Sequence, residues 1–244
     1  MVAISMKGVI LAGGKGSRLL PLTKITNKHL LPIFNRLMIE YPLNTLLNSG
    51  IREILIISGR EHAGDFIEYL GSGKEFKAKF TYKVQEEAGG IAQALALAED
   101  FANQKPITVI LGDNIFDPRF KIPSFEGGAR IFIKKVKNPE RFGVPVMLKS
   151  GSTSSPLQIS KILEKPHKAP TQYAVTGLYQ YNYQVFDIIK NLKPSARGEL
   201  EITDVNNSYI QKGLLTAKAI NGFWSDAGTF PSLTQAIKWT IKNS

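Results

Sequence analysis

Four short apolar runs in the first half of the chain, "KGVIL" (7–11), "EILIIS" (53–58), "FTYKV" (80–84) and "ITVIL" (107–111), are separated by segments of helical texture. Strands spaced this far apart cannot close as tight hairpins, and helical crossovers between them imply βαβ units and a largely parallel sheet. "VIL" and "ILII" are continuous rather than alternating, as expected of strands covered on both faces. Between them, "MIEYPLNTLLNSG" (38–50) spaces its apolar residues helically and stops at a glycine, and "IAQALALAEDFA" (91–102) is rich in helix formers. After Gly112 the texture changes. "ARIFIKKV", "FGVPVML", "LQISKILEK" and "YAVTGLYQYN" read as strands with turns between them, which predicts antiparallel pairing in an inserted β region. Helical patterns return at "QVFDIIKNL", "EITDVNNSYIQKG" and "TFPSLTQAIKWTI", and "SGSTSSP" (150–156) reads as a polar surface loop. No repeat or linker divides the chain, so the expectation is one α/β domain over residues 1–244.

Composition narrows the class. With 43% hydrophobic residues the chain can build a large core, and no apolar stretch approaches the roughly 20 residues of a membrane span. No signal-peptide pattern is evident at the N-terminus, where Met1–Ser5 precede a second methionine and read as an extension; the expectation is a cytoplasmic protein. The absence of cysteine excludes disulfides, thiolate metal sites and a cysteine nucleophile. A formal charge of +11 would attract polyanions. Within its densest stretch, Ala129–Lys149, "RIFIKKVK" alternates like a strand and no basic helix with interleaved aromatics appears, which favours a solvated surface or steering of a phosphate ligand over nucleic-acid binding.

The loop after the first strand, "AGGKGSRLLPLTKITNKHLLPI", carries Gly13, Gly14 and Gly16, then Arg18 and Lys28. Neither GxGxxG nor GxxxxGK[ST] fits it. Glycines let backbone N–H groups converge on an anion, and Arg18 and Lys28 could hold phosphate oxygens; a tight structural turn is the alternative. Asp113 follows "ITVILG", just beyond the carboxyl end of a buried strand, where open α/β sheets bind ligands. Asp226 sits in "FWSDAGT" after another strand-like run. Two carboxylates with substrate phosphates could hold Mg²⁺, although each aspartate read alone could equally cap a turn.

Nine segments in register, "KGVILAGGKGSRLLPLT", "NKHLLPI", "AGGIAQAL", "VILGDNIF", "NPERFGV", "LEKP", "YAVTGLYQYN", "RGELEITDVNNSY" and "WSDAGT", resemble the sugar-1-phosphate nucleotidyltransferases from residue 6 to about 240. Within that family they look like the short glucose-1-phosphate thymidylyltransferases. The resemblance implies a Rossmann-like, mainly parallel sheet flanked by helices, with a nucleotide part mainly in 6–114, a sugar part in 115–228 and a C-terminal helix at 229–242. It implies transfer of thymidylyl from dTTP to glucose 1-phosphate with release of pyrophosphate, dependence on Mg²⁺, and a homo-oligomer, commonly a tetramer. Carried over by motif, Leu11, Gly13, Gly14 and Gly16 cradle the nucleotide, Arg18 meets the departing pyrophosphate, Lys28 the α-phosphate, and Asp113 and Asp226 the metal. Gln85 and Gly90 fall at thymine-reading positions. Asn114, Gly143, Glu164 and Val175 fall beside the glucosyl hydroxyls, with Lys165 and Arg197 facing the sugar's phosphate. Local sequence alone would read Glu164 and Lys165 as a surface ion pair.

Some positions depart from the family pattern. His29 stands where glutamine is common, Ala88 where proline is, and Phe142 where tyrosine is; "VPVML" lacks an acidic residue. These changes touch sugar preference, while the phosphate and metal positions are intact. Glu199, Glu201 and Asp204 read as acids at a helix start with no further role. His62 and His167 lack metal spacing. The competing expectations are the same chemistry with UTP or another sugar 1-phosphate, and a non-catalytic nucleotide-sugar-binding paralogue.

Overall fold

The protein is described from a computed structural model over residues 6–148 and 157–243; the polar stretch 150–156 and the extension at 1–5 lie outside the described residues. In chain order the elements are β1 (Lys7–Ala12), β2 (Pro32–Ile33), β3 (Arg36–Leu37), α1 (Glu40–Asn48), β4 (Glu53–Gly59), α2 (Ala63–Leu70) and β5 (Lys79–Gln85). There follow α3 (Ile91–Ala96), α4 (Glu99–Ala102), β6 (Ile107–Leu111), β7 (Asn114–Phe116), β8 (Ala129–Lys135), β9 (Gly143–Met147) and β10 (Ile159–Glu164). The chain closes with β11 (Tyr173–Tyr181), α5 (Val185–Lys190), α6 (Ile202–Gln211), β12 (Leu215–Ala219), β13 (Trp224–Asp226) and α7 (Phe230–Lys242).

One seven-stranded sheet runs β12-β8-β11-β6-β1-β4-β5. β6, β1, β4 and β5 are mutually parallel, and β11 alone is reversed between β8 and β6. The continuous apolar runs have the cause inferred for them: Val9, Leu11, Leu55, Ile57 and Val109 pack into the core on one face, Ile10, Ile54, Ile56 and Ile110 into the core on the other. Each strand thus buries both sets of side chains beneath helices. The β-rich middle of the chain is divided in its placement. β8 and β11 extend the central sheet, and β12 pairs parallel to β8, while β9–β10 and β7–β13 form separate antiparallel ribbons.

The helices follow from spacing and ends. α1 buries Leu43, Leu46 and Leu47, one face of a 3.6-residue repeat, and gives way at Gly50. The expected helix at 91–102 is interrupted at Leu97–Ala98 into α3 and α4. α7 starts at a capping box in which Thr229 and Ser232 satisfy each other's backbone N–H groups, with proline in the first turn, and buries Leu233, Ala236 and Thr240.

This topology positions the site. β4 and β5 lie on one side of β1, and β6 lies on the other, so the order of winding reverses between β1 and β6. The crevice outside the carboxyl ends of those strands is where such sheets receive ligands. The glycine loop leaves β1 there, Asp113 follows β6 there, and Gln85 ends β5 on the same side.

Candidate active site

A cleft runs along the carboxyl ends of the sheet in two connected halves. The first is lined by Leu11, Gly13, Gly14, Arg18, Lys28, Gln85, Gly90 and Asp113. The second is lined by Arg18, Asp113, Asn114, Gly143, Glu164, Lys165, Val175, Arg197 and Asp226. Arg18 and Asp113 belong to both and mark the junction. Of the residues expected from sequence only Gly16 does not line the cleft. It shapes the loop from behind, in left-handed conformation (φ 60°), with a β-carbon position 2.9 Å from Thr23 Cγ2 and 3.1 Å from Lys28 Cβ.

The two carboxylates are held differently. Lys28 Nζ donates to Asp113 Oδ2 at 2.6 Å, and Asn114 Nδ2 donates to Oδ1 at 3.0 Å. Burial by itself would raise the Asp113 pKa, but the Lys28 ammonium and these hydrogen bonds outweigh it and hold the group below the ordinary carboxylate range. Asp226, brought alongside by the β7–β13 pairing of Asp226 with Asn114, is pushed up to about 6 by burial and by the charge of Asp113. Arg141, 3.7 Å away, offsets part of that rise. One carboxylate is therefore held by a close ammonium, and the other only by a longer ion pair. A pair of adjacent carboxylates is the all-oxygen donor chemistry that suits Mg²⁺, and no three-residue cluster of acids and histidines competes among the described residues.

Arg18 lies at the same point. A β-carbon placed on Gly228 would stand 3.2 Å from Asp113 Oδ2 and 3.3 Å from Arg18 Nη2, so the glycine after "WSDA" leaves room for both. Asn114 is nearly saturated: Oδ1 accepts from Gly177 N and Trp224 Nε1, both at 2.8 Å, while Nδ2 holds Asp113. Its main work is to orient Asp113 and join β7 to β11 and β13, with one N–H left over for a ligand.

In the second half of the cleft, Arg197 Nη2 and Nε donate to Glu201 Oε1 at 2.8 and 3.2 Å, with Glu199 and Glu164 at 3.6 and 3.5 Å. Ser195 Oγ also donates to Glu201 at 2.8 Å. Glu201 is 9% exposed and anchors Arg197, a role that reading it as a helix-start acid had not suggested. Glu199 lines both halves. Glu164 accepts from Thr203 Oγ1 at 2.5 Å and pairs with Lys165 at 3.5 Å. Lys165 has φ 41°, a strained backbone that points to a functional position. On α6, Thr203 and Asn207 are four residues apart and share a face; Asn207 bonds both backbone groups of Ile162, so that one helix face fixes the strand carrying Glu164.

The loop after β5 is tied to this frame. Leu200 N donates to Gly89 O at 2.8 Å, Ala92 N donates to Leu200 O at 3.1 Å, and a β-carbon on Gly90 (φ 99°) would fall 2.5 Å from Leu200 O. Gln85 Nε2 and Gly89 N both donate to Gln93 Oε1, at 2.8 and 2.9 Å. His29, a departure from the family pattern, is 1% exposed, packs against Gly112 and contacts Asn27 Oδ1 at 2.7 Å through Nδ1. Burial and Lys28 lower its pKa to about 3, so the ring is neutral at physiological pH. Gln93, Glu201, Thr203 and Asn207 lie within "AGGIAQAL" and "RGELEITDVNNSY", but nothing local in those segments marks their roles, since their contacts are with residues distant in sequence or across a loop.

A mainly parallel sheet with an anion-suited loop after β1, two carboxylates at the switch point and a basic, acid-framed pocket beyond them is the layout of an enzyme handling phosphorylated substrates. The chain belongs to the nucleotidyl transferase family, whose model matches residues 7–243. It is 41% identical over 248 residues to a glucose-1-phosphate thymidylyltransferase of Neisseria meningitidis, covering 98% of this chain and 84% of that one. It is 42% identical to one of Xanthomonas campestris, covering 96% and 80%. A solved Bacillus anthracis structure assigned as a glucose-1-phosphate thymidylyltransferase, in complex with a sucrose, superposes with a TM-score of 0.86 at 48% identity, covering 96% of this chain and 94% of that one. A UDP-glucose pyrophosphorylase complexed with UDP-glucose superposes at 0.83 with 24% identity over 98% and 99%, a likeness of fold.

Proposed function

We propose that the protein transfers a thymidylyl group from dTTP to glucose 1-phosphate, giving dTDP-glucose and pyrophosphate. The observation that carries this reading is the single cleft in which Arg18 and Asp113 stand between a glycine-lined half ending at Gln85 and a half framed by Glu164, Lys165 and Arg197. The nucleotide lies in the first half, with its base toward Gln85 and Gly90 and its phosphates over Gly13 and Gly14, in a loop that Gly16 shapes from behind. The sugar phosphate lies in the second, its hydroxyls toward Gly143, Glu164 and Val175. A phosphate oxygen of the sugar phosphate attacks the α-phosphorus, and the bond to pyrophosphate breaks on the opposite side.

No covalent nucleophile is required, because alignment of the two phosphates and stabilisation of transferring charge account for most of such a reaction. Lys28 neutralises the α-phosphate and Arg18 the charge appearing on pyrophosphate. Asp113 and Asp226 would hold Mg²⁺, which when bound neutralises the reacting phosphates. Lys165 and Arg197 bind the attacking phosphate. Arg197 reaches it from a guanidinium already aligned by Glu201. The nucleotide part in 6–114 and the sugar part in 115–228 act across one cleft.

The test is pyrophosphate release from purified protein with each nucleoside triphosphate across a panel of sugar 1-phosphates. dTTP with glucose 1-phosphate is expected to be the best pair and UTP a weaker donor, since the thymine methyl contributes only about 1–3 kcal/mol of discrimination in an apolar pocket. Faster turnover with ATP or GTP than with both pyrimidine nucleotides would sink the assignment. No turnover with any pair would leave a nucleotide-sugar-binding paralogue.

A further inference from the structure

Gln93, on α3, accepts hydrogen bonds from both parts of the base-side loop through one oxygen: from the backbone N–H of Gly89 at 2.9 Å and from Gln85 Nε2 at 2.8 Å. A backbone N–H can only donate, so Gly89 determines which end of the Gln93 carboxamide is oxygen. The end of Gln85 that meets this oxygen must then be its NH₂ group. The carbonyl oxygen of Gln85 is left facing the other way, and it lies 2.8 Å from where a β-carbon on Gly13 would stand, on the wall of the nucleotide half of the cleft. Turning Gln85 alone would set two acceptor oxygens against each other. Turning both amides would set the Gln93 NH₂ against the Gly89 N–H. Either change forfeits a hydrogen bond and leaves half-buried polar groups unpaired.

We propose that Gln93 is a positioning residue that sets base specificity by locking Gln85 so that it presents a hydrogen-bond acceptor to the base. The inference rests on the nucleotide occupying this half of the cleft, as above. Thymine and uracil carry a donor at N3–H and match that acceptor. Cytosine has a bare lone pair at N3, which would face the Gln85 oxygen with no proton between them. A site built to pair one pattern rejects the other strongly, because both groups are then left unsatisfied away from water. Without Gln93 the Gln85 amide could rotate and offer its N–H to cytosine.

The experiment compares kcat/KM for dUTP and dCTP, which share their sugar and differ only on this base edge, with glucose 1-phosphate as acceptor. The wild type is expected to prefer dUTP by at least about 100-fold. Gln93→Met keeps the length and removes the acceptor; the preference should fall by about 10-fold or more. Gln93→Glu keeps an acceptor for both donors and should retain the preference within about 3-fold, whatever its added charge does to absolute rates. A purely structural Gln93 would lower both nucleotides together and leave the ratio alone. An unmoved ratio in a folded Gln93→Met, or in Gln93→Ser where the methionine variant does not fold, overturns the inference, as does a Gln93→Glu ratio that collapses like that of methionine. A wild type that prefers purine nucleotides overturns the functional reading and this inference with it, whereas a wild type that prefers dUTP with an insensitive ratio in Gln93→Met overturns this inference alone.

Discussion

Asp226→Asn is expected to abolish most turnover and yet make the metal-free protein more stable, whereas Asp113→Asn should lose on both counts. Each replacement removes a negative charge from the proposed Mg²⁺ shell, and activity should fall by at least about 100-fold at ordinary Mg²⁺, with partial recovery at higher Mg²⁺ or with Mn²⁺. The double variant should be little worse than either single one, as for groups that act as a unit. Stability separates them. Asp226 is raised from its ordinary 3.8 to about 6 in the folded chain, so between those values the folded state binds more protons than the unfolded state. Its ionisation therefore costs stability progressively as pH rises from 3.8 to about 6, and fully above that. Asparagine removes the cost. Unfolding of the chelator-treated protein should show a gain of about 1–3 kcal/mol for Asp226→Asn at pH 8 that disappears near pH 4.

Asp113 has the opposite sign. Its pKa lies below the unfolded value, so it contributes stability above the ordinary carboxylate range that is lost as pH falls through its folded pKa. Asp113→Asn leaves the Lys28 ammonium, whose side chain is 15% exposed, without its carboxylate, a loss of about 2–4 kcal/mol at neutral pH. Near-wild-type activity and metal dependence in either variant would show that the aspartate only caps its turn. Equal stability changes in both would show that the contrast in their surroundings is not what governs their ionisation.

Arg18→Ala should lower kcat by roughly 100- to 1000-fold while changing the KM for dTTP little. Arg18 projects from the short helical turn after the glycine loop, is exposed, and reaches the junction of the two half-clefts beside Asp113. An exposed cation at that junction gains most from charge that appears as pyrophosphate departs, and an interaction stronger in the transition state than in the ground state is read in the rate. Steady-state kinetics with saturating glucose 1-phosphate checks it. A variant with wild-type kcat and a raised KM would make Arg18 a ground-state phosphate contact.

The strands beneath the site were legible because their cause is local. "KGVIL", "EILIIS", "FTYKV" and "ITVIL" begin and end within two residues of β1, β4, β5 and β6, and an uninterrupted apolar run has few places to go except a strand buried on both sides. Other elements lacked such a signal. α2, β7 and β12 were not anticipated, and the two strands find their place through partners, β7 on β13 and β12 on β8. The helix read at 91–102 breaks at Leu97–Ala98 although its composition favours continuity. The antiparallel region was anticipated as an insertion. Yet β8 and β11 joined the main sheet, because Val175, Tyr179, Ile131 and Ile133 alternate inward and complete the same core.

At the site, residue order alone determined a strand, a glycine loop with Arg18 and Lys28, an aspartate beyond a second strand, and a distant "WSDAGT". These depend on steric and hydrogen-bonding preferences that act over a few residues and so leave a trace in the chain itself. What only the tertiary structure decided is how those groups are charged and aimed. Asp113 and Asp226 sit in similar sequence surroundings, but Lys28 reaches one of them and burial beside the first raises the other. Glu201 and Gln93 look like ordinary polar residues of a loop and a helix until Arg197 and Gln85 are placed against them. Ionisation and the direction of a hydrogen bond depend on distance and on the exclusion of water, and both are set by groups that meet only once the sheet has brought its carboxyl ends to one edge.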